Sequence, residues 1–62
     1  MNRKPTASQK TVYHEPKTGL WVLKWWDTKR REYLTASFST EAVARRSYDL
    51  LYTVEDEKVR GA

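Results

Sequence analysis

The sequence contains no cysteine, only two glycines and a single histidine. Without cysteine there can be no disulfide and no thiolate metal site, and one histidine alone does not supply a zinc ligand set. Two glycines are too few for a phosphate-binding glycine-rich loop. The carboxylates are scattered and form no obvious acid–base pair. We therefore expect a protein that is not an enzyme and that uses no cofactor and no metal.

The sequence also lacks a long apolar run. Its most apolar stretch, residues 20–26, is seven residues long and includes a lysine, whereas a membrane-spanning helix needs about 20 apolar residues. The basic start of the chain is not followed by the apolar segment that a secretory signal peptide requires. We expect a protein of the cytoplasm, bacterial or of an infected cell, with no membrane partner.

The 62 residues suffice for one small domain. A chain of this length buries roughly 60% of its unfolded surface, which makes its stability marginal. Three tryptophans, four tyrosines and one phenylalanine offset this shortage, because large aromatic side chains bury the most area per residue.

Positive charge is concentrated in the first half of the chain. Residues 1–31 contain eight basic and two acidic residues, a net +6, and residues 32–62 contain four basic and six acidic residues, a net −2. This asymmetry suggests an anionic partner for the first half. The simpler explanation, that the charge serves only solubility, also fits.

Three segments have the composition of β-strands. Residues 11–14, 20–26 and 31–36 are rich in β-branched and aromatic side chains. The links between them are short, which favours antiparallel pairing, and the first link contains Pro16 and Gly19, both typical of turns. Residues 1–10 have the composition of a flexible basic arm.

The spacing of apolar residues becomes helical after residue 39. Ser39 is the predicted N-cap, and Ala44, Tyr48 and Leu51 recur at the spacing of one helix face, which predicts a helix over about residues 40–53. Three acidic residues at 55–57 would be unfavourable at the C-terminus of that helix. They indicate either a separate short helix that begins near Thr53 or a frayed tail.

These elements predict an α+β fold in which a three-stranded antiparallel sheet packs on one C-terminal α-helix. Side chains alternate along a strand, so Trp21, Leu23 and Trp25 are predicted to share the face under the helix. The other face stays open. The predicted organisation is a flexible basic arm over residues 1–10, the sheet and helix over residues 11–54, and an acidic then basic tail over residues 55–62.

The open face and its surroundings combine basic and aromatic side chains. Basic groups neutralise phosphates, aromatic rings lie on sugars or bases, and a β-sheet can enter a DNA groove. Tryptophan, tyrosine and arginine also dominate protein-binding sites, so a protein partner bound through Val22, Trp26 and Tyr33 is the alternative. The candidate DNA-binding residues are Lys10, His14, Lys24, Trp26, Arg30, Arg31 and Tyr33.

Several short motifs follow one another in a specific order and spacing over residues 11–51. They are Val12-Tyr13-His14, Gly19, Trp21-Val22, Arg31, Tyr33-Leu34, Ser37-Phe38, Thr40-Glu41, Ala44 and Tyr48-Asp49. The most specific part is residues 38–49, from phenylalanine to the Tyr-Asp pair. Together these motifs resemble the DNA-binding domain of the plant ethylene-response-factor or APETALA type, in the versions found in phage and bacterial proteins.

This resemblance implies that the open sheet face enters the major groove of double-stranded DNA. It implies groove-facing positions for Lys24, Trp26, Arg31 and Tyr33, and a further one for His14 on the first strand. A similar sheet-plus-helix design occurs in the arm-site-binding domains of tyrosine recombinases. The chain departs from the family by one extra residue at positions 35–36, which predicts a bulge or a longer corner.

The expected function is that of a small, non-catalytic DNA-binding regulator from a phage or bacterium. The alternative is a phage-type protein that inhibits or redirects a host protein through its aromatic sheet face. The sequence leaves the oligomeric state open.

Overall fold

A three-stranded sheet and two helices make up the fold. The computed structural model describes residues 4–61 of the chain, with side chains for residues 4–59. The strands form one antiparallel sheet in the order β1-β2-β3, and the first helix packs on all three of them. The predicted α+β class is confirmed, with a second helix in addition. The elements are β1 (Ala7–Glu15), β2 (Leu20–Asp27), β3 (Glu32–Phe38), α1 (Glu41–Leu50) and α2 (Val54–Gly61).

Two loops of the same design connect the strands. The N–H of Gly19 donates to the carbonyl of Glu15, and the N–H of Arg31 donates to the carbonyl of Asp27, both at 2.8 Å. Each bond closes one helix-like turn of four loop residues. The last loop residue is left-handed in both cases, with φ of 73° at Gly19 and 57° at Arg31. Because the loop length sets the pairing of the flanking strands, these two turns fix the register of the sheet.

The register separates a helix-side face from an open face. On the helix side, Trp21, Leu23 and Trp25 of β2 lie opposite apolar residues of β3, and Leu23 is buried. The prediction that these three residues share one face is confirmed. Along β3 the helix-side residues are half-buried and the alternate ones are exposed. The open face consists of Ser8, Thr11, Tyr13 and Glu15 from β1, Leu20, Val22, Lys24 and Trp26 from β2, and Tyr33, Thr35 and Ser37 from β3.

The first strand begins at Ala7, four residues earlier than predicted. The prediction of a flexible arm is therefore wrong for residues 7–10, and residues 1–3 of that arm lie outside the described residues. A one-residue bulge follows Ser8 in the pairing with β2, and Gln9 in this bulge has φ of 54°. Composition does not reveal the bulge, because glycine is the residue expected at such a position.

The third strand is longer and more regular than predicted. It runs over Glu32–Phe38, so Arg31 belongs to the loop and not to the strand. Every residue of β3 pairs with β2 without a register shift. The bulge or longer corner predicted at residues 35–36 is thus wrong, since the extra residue simply extends the strand.

Helix α1 is shorter than predicted and is capped one residue later. Its N-cap is Thr40, whose hydroxyl accepts the N–H of Val43 at 3.3 Å, so the prediction of Ser39 as cap is wrong. The helix ends at Leu50, because Leu51 adopts an extended backbone. Residues 51–53 therefore lie outside α1.

Helix α2 confirms the separate-helix alternative for the tail. The N–H and hydroxyl of Thr53 donate to the Asp56 carboxylate at 3.0 and 2.9 Å, and the N–H of Asp56 donates back to the Thr53 hydroxyl at 3.3 Å. This reciprocal arrangement is a capping box. It places the acidic residues 55–57 in the first turn of a helix, where the helix dipole favours negative charge.

Lys10 of β1 joins the strand to both helices. Its ammonium group donates to the carbonyls of Tyr48 and Leu51 at 2.8 and 3.0 Å and forms an ion pair with Asp56 at 3.2 Å. The Lys10 side chain is only 12% exposed, and its Nζ lies 4.4 Å from the centroid of the Tyr48 ring. Helix α1 has no basic residue in its last turn, so Lys10 supplies the cation that a helix C-terminus favours.

We expect the Lys10→Met substitution to destabilise the protein. It keeps the aliphatic stem but removes the ammonium donor from the carbonyls of Tyr48 and of the C-cap residue Leu51, a loss of about 1.5–3 kcal/mol for hydrogen bonds to a charged group. Chemical denaturation followed by tryptophan fluorescence measures the free energy of unfolding. The matched control is Lys17→Met on the exposed first loop, which should change stability by less than about 0.5 kcal/mol. Equal effects of the two substitutions would contradict the structural role of Lys10.

We also expect Asp56 to make stability depend on acid pH. The pKa of Asp56 is lowered from its ordinary value of 3.8, first by the Thr53 hydroxyl, then by the Thr53 backbone N–H and by Lys10. A carboxyl with a lowered folded-state pKa stabilises the fold above its ordinary pKa, and this contribution is lost as pH falls through the lowered value.

The stability difference between the protein and an Asp56→Asn variant should therefore be constant near neutral pH and should shrink below the ordinary pKa of 3.8. Denaturation at a series of pH values measures it, with Asp49→Asn on the exposed side of α1 as the control. A difference that persists unchanged to about pH 2 would contradict the assignment.

Candidate nucleic-acid interface

Lys24 occupies the centre of the open face. It lies on the middle strand, with Thr11 of β1 and Thr35 of β3 directly opposite it on either side. Its Nζ lies 4.5 Å from the centroid of the Tyr33 ring, a cation–π contact. Neither described ion pair involves Lys24. The two threonines are short and exposed, so a ligand that lies on this face can reach the ammonium group.

Trp26 and Tyr33 form an aromatic pair beside Lys24. They are cross-strand partners, and their ring centroids lie 4.8 Å apart in an edge-on arrangement of 73°. The Tyr33 hydroxyl donates to Oε1 of Gln9 at 3.1 Å, which restrains the ring. Tyr33 is 50% exposed and Trp26 is half-buried. The pair therefore presents a fixed aromatic surface next to a positive charge.

The loop between β2 and β3 places three further basic residues at the end of this face. The Asp27 carboxylate accepts the backbone N–H groups of Lys29 and Arg30 at 3.0 and 2.7 Å, and this fixes the shape of the loop. The side chains of Lys29, Arg30 and Arg31 are exposed, and none of them takes part in a described ion pair. The Asp27 carboxylate thus holds the backbone of the loop, and the three basic side chains are available to an anionic ligand.

Negative charge is nearly absent from the open face. Among its paired residues only Glu15 is acidic, and this carboxylate lies at the far end of the sheet, where it accepts the Thr18 hydroxyl at 2.8 Å. Glu32 pairs with Asp27 and falls in the helix-side phase of β3. The open face and the adjoining loop thus present an electropositive surface.

The structure brings most of the predicted site residues together. Lys24, Trp26 and Tyr33 form one cluster on the open face, and Arg30 and Arg31 lie on the loop that follows β2. The predictions for Lys10 and His14 require correction.

Lys10 is not part of the open face. Its ammonium group is nearly buried and occupied by α1 and Asp56, so the expectation that it contacts a phosphate is wrong. The physical reason is the bulge after Ser8, which lets β1 extend through a segment that composition alone assigned to a flexible arm.

His14 lies on the helix-side face. It pairs with Trp21, and the two rings contact each other with centroids 4.8 Å apart. The residue of β1 that reaches the open face is Tyr13, which lies opposite Val22 and is 41% exposed. Loop length could have revealed this position, because a four-residue loop that pairs Glu15 with Leu20 also pairs Tyr13 with Val22.

Val22 is less accessible than an interaction site requires. It is only 5% exposed although it belongs to the open face, because it is on the central strand with neighbours on both sides. Gln9 was not among the predicted site residues, because no sequence pattern singles it out, and it accepts the hydrogen bond of the Tyr33 hydroxyl.

Comparisons with protein-family models, with curated proteins and with solved structures gave no match. The resemblance to the ethylene-response-factor domain therefore stays a prediction. Among the described residues, no helix is long and apolar enough to cross a membrane. In the same part of the chain, no three histidine, cysteine or acidic residues lie close enough to hold a metal ion.

We expect Arg31→Gly to stabilise the protein. Arg31 holds the left-handed conformation that Gly19 holds in the first loop, and this conformation costs a residue with a side chain about 1 kcal/mol relative to glycine. Thermal denaturation should show a higher melting temperature for Arg31→Gly. The reciprocal change, Gly19→Ala, should lower it, although an added Cβ meets no atom within 4 Å. A lower melting temperature for Arg31→Gly would show that the arginine side chain stabilises the loop.

Proposed function

We propose that this protein binds double-stranded DNA without catalysis, with its open sheet face in the major groove. The observation that carries the proposal is the cluster of Lys24, Tyr33 and Trp26 on that face, continued by the basic loop of residues 29–31. The ion pairs of the described residues leave all of these basic groups unneutralised. Basic groups neutralise phosphates and aromatic rings stack on bases, so a surface that combines them suits a nucleic acid.

The dimensions of the sheet suit the major groove. Neighbouring strands lie about 4.8 Å apart, so three strands span about 10 Å between their outer axes. The major groove is about 12 Å wide and admits β-structure, whereas the minor groove is about 6 Å wide. The open face has short side chains at Thr11, Thr35 and Ser37, which allow the backbone to approach the base edges.

The basic residues differ in their expected contacts with DNA because they lie at different places on the face. Lys24 lies at the centre of the face, where a base edge would be, and lysine donates to guanine O6 and N7. Arg30 and Arg31 lie at the edge of the face, where the sugar–phosphate backbone would pass. Contacts with phosphates position a protein on DNA, and contacts with bases specify the sequence.

The conformation of Arg31 supports a functional role for its side chain. Glycine would adopt φ of 57° without strain, and the equivalent position of the first loop is glycine. Strained residues cluster at functional sites, where the side chain matters more than the stability it costs. We infer that the charge of the Arg31 side chain serves DNA binding.

The alternative function, binding of a host protein, has one specific observation in its favour. Tyr13 and Tyr33 are large aromatic residues that are 41% and 50% exposed on the open face, and tyrosine is enriched at the energetic centres of protein interfaces. The near-complete burial of Val22 reduces the apolar surface that such a partner would contact. A regulatory role in a phage or bacterial cell belongs to the DNA proposal and rests on the sequence resemblance alone.

The test is a titration of the protein with duplex DNA at several salt concentrations, with tryptophan fluorescence as the readout of binding. Arg30→Ala should weaken binding to all sequences alike and should lower the slope of log K against log salt by about 0.9, the value for one phosphate contact. Lys24→Ala should instead reduce the preference between duplex sequences, with a loss of about 1–3 kcal/mol for the preferred one.

The matched control is Arg46→Ala, which removes one positive charge from the side of α1 that faces away from the sheet. Arg46 lies about 200° around the helix from the fully buried Ala44. If Arg46→Ala reduces the salt dependence as much as Arg30→Ala, net charge and not the open face explains the binding. If no duplex binds at low salt, the DNA proposal fails, and Tyr13 and Tyr33 become the residues to test against protein partners.

A further inference from the structure

The two edges of the sheet differ in how they are protected. The outer edge of β1 is covered at its start: Ala7 forms a parallel bridge with Thr53, and the N–H of Gln9 donates to the Glu55 carboxylate at 3.0 Å. The bulge at Gln9 further interrupts this edge. Natural sheets use such bulges and coverings to prevent unwanted strand pairing.

The outer edge of β3 has none of these protections. The strand is seven residues long, pairs with β2 without a shift, and contains no proline, glycine or basic residue. Glu32 at its start is its one charged residue. In the described part of the chain no other strand pairs with β3 on this side, and no hydrogen bond other than those of the β2 ladder reaches its backbone from another element. A long and regular edge with a single charge at one end pairs readily with another strand.

We propose that β3 is the contact surface for a second copy of this chain, with the two β3 strands paired antiparallel around Thr35. Antiparallel pairing of identical strands generates a two-fold axis and a closed dimer. Because the strand has seven residues, full overlap places Thr35 opposite itself and Leu34 opposite Ala36 of the second copy. Threonine pairs are favourable across strands, and no two like charges are opposed within the strand.

The helix-side residues of β3 also favour pairing with a second copy of the chain. Leu34, Ala36 and Phe38 are only half-buried in the single chain, and strand pairing would cover them with the equivalent residues of the second copy. The full overlap pairs helix-side residues with helix-side residues, so the two helix layers lie on one side of a six-stranded sheet. Both open faces then lie on the other side. Six strands span about 24 Å, more than the width of about 12 Å of the major groove, so the dimer is a form of the DNA-free protein and must separate before one sheet enters the groove.

Val43 of helix α1 is an apolar residue on the side of the domain where β3 lies. Ala44 is fully buried and marks the direction towards the sheet. Arg45, about 100° to one side, lines a hollow with Thr11 and Val12 of β1. Val43 lies about 100° to the other side, on the flank towards β3, and is 48% exposed. A second copy paired with β3 would bring its own Val43 towards this residue.

The test measures molecular mass in solution without DNA, so that its result is independent of the proposed function. Sedimentation equilibrium over about 10 μM to 1 mM should show a rise from one chain towards two, because an interface below about 1,200 Å² forms a weak dimer. Thr35→Lys opposes two like charges at the axis and should weaken dimerisation about tenfold.

Thr11→Lys is the matched control, because Thr11 and Thr35 flank the same Lys24 on opposite edges of the sheet. It adds the same charge beside the same residue and should leave the dimer within about twofold of the original. A single-chain mass at 1 mM, or equal weakening by the two variants, would overturn the proposal. Circular dichroism checks that both variants fold.

If Thr35→Lys does not fold, amide hydrogen exchange of the unaltered protein decides the question. Outward-facing amides of β3 should exchange more slowly at high than at low protein concentration, while those of β1 should not change. Exchange in β3 that is independent of concentration would overturn the proposal.

Discussion

The ammonium group of Lys10 is the contact on which the arrangement of the helices depends. It binds the last carbonyls of α1, lies against the Tyr48 ring and pairs with Asp56 at the start of α2. One side chain on β1 thus satisfies a helix C-terminus that has no cation of its own and holds the N-terminus of the next helix beside it. A small domain has few buried apolar residues, here Ala7, Val22, Leu23 and Ala44 among the described ones. Polar contacts of this kind therefore contribute a large share of its tertiary specificity.

The same region connects the helices to the open face. Gln9, the bulge residue before Lys10, donates its backbone N–H to Glu55 of α2 and accepts the Tyr33 hydroxyl through its side chain. The position of α2 is thereby linked to the aromatic residue that contacts Lys24. The left-handed conformation of Gln9 is a local cost that these two contacts offset. Two residues other than glycine have a left-handed backbone among the described residues. Gln9 supports the candidate interface from the bulge, and Arg31 lies within the interface.

Much of the fold followed from local pattern. The strand composition of β2, the turn residues of the first loop and the helical spacing of Ala44 and Tyr48 are short-range signals, and each was confirmed in kind. The boundaries were less accurate, because Ser39 and Thr40 are both accepted caps, serine being slightly the better by residue type, and the path of the chain selects Thr40. The break between the helices was visible as an electrostatic conflict, since three acidic residues suit an N-terminus and oppose a C-terminus.

Sequence by itself determined the composition of the candidate site and the phase of the central strand, because alternation along β2 is a property of the strand alone. It therefore placed Lys24 and Trp26 with each other and apart from Trp21, Leu23 and Trp25. Only the tertiary structure decided which residues of β1 join them. The loop register places Tyr13, and not His14, on the open face. After the bulge, the Lys10 side chain lies against the helices. The physical reason is that a register depends on contacts between strands, and a shift of one residue moves every side chain to the opposite face.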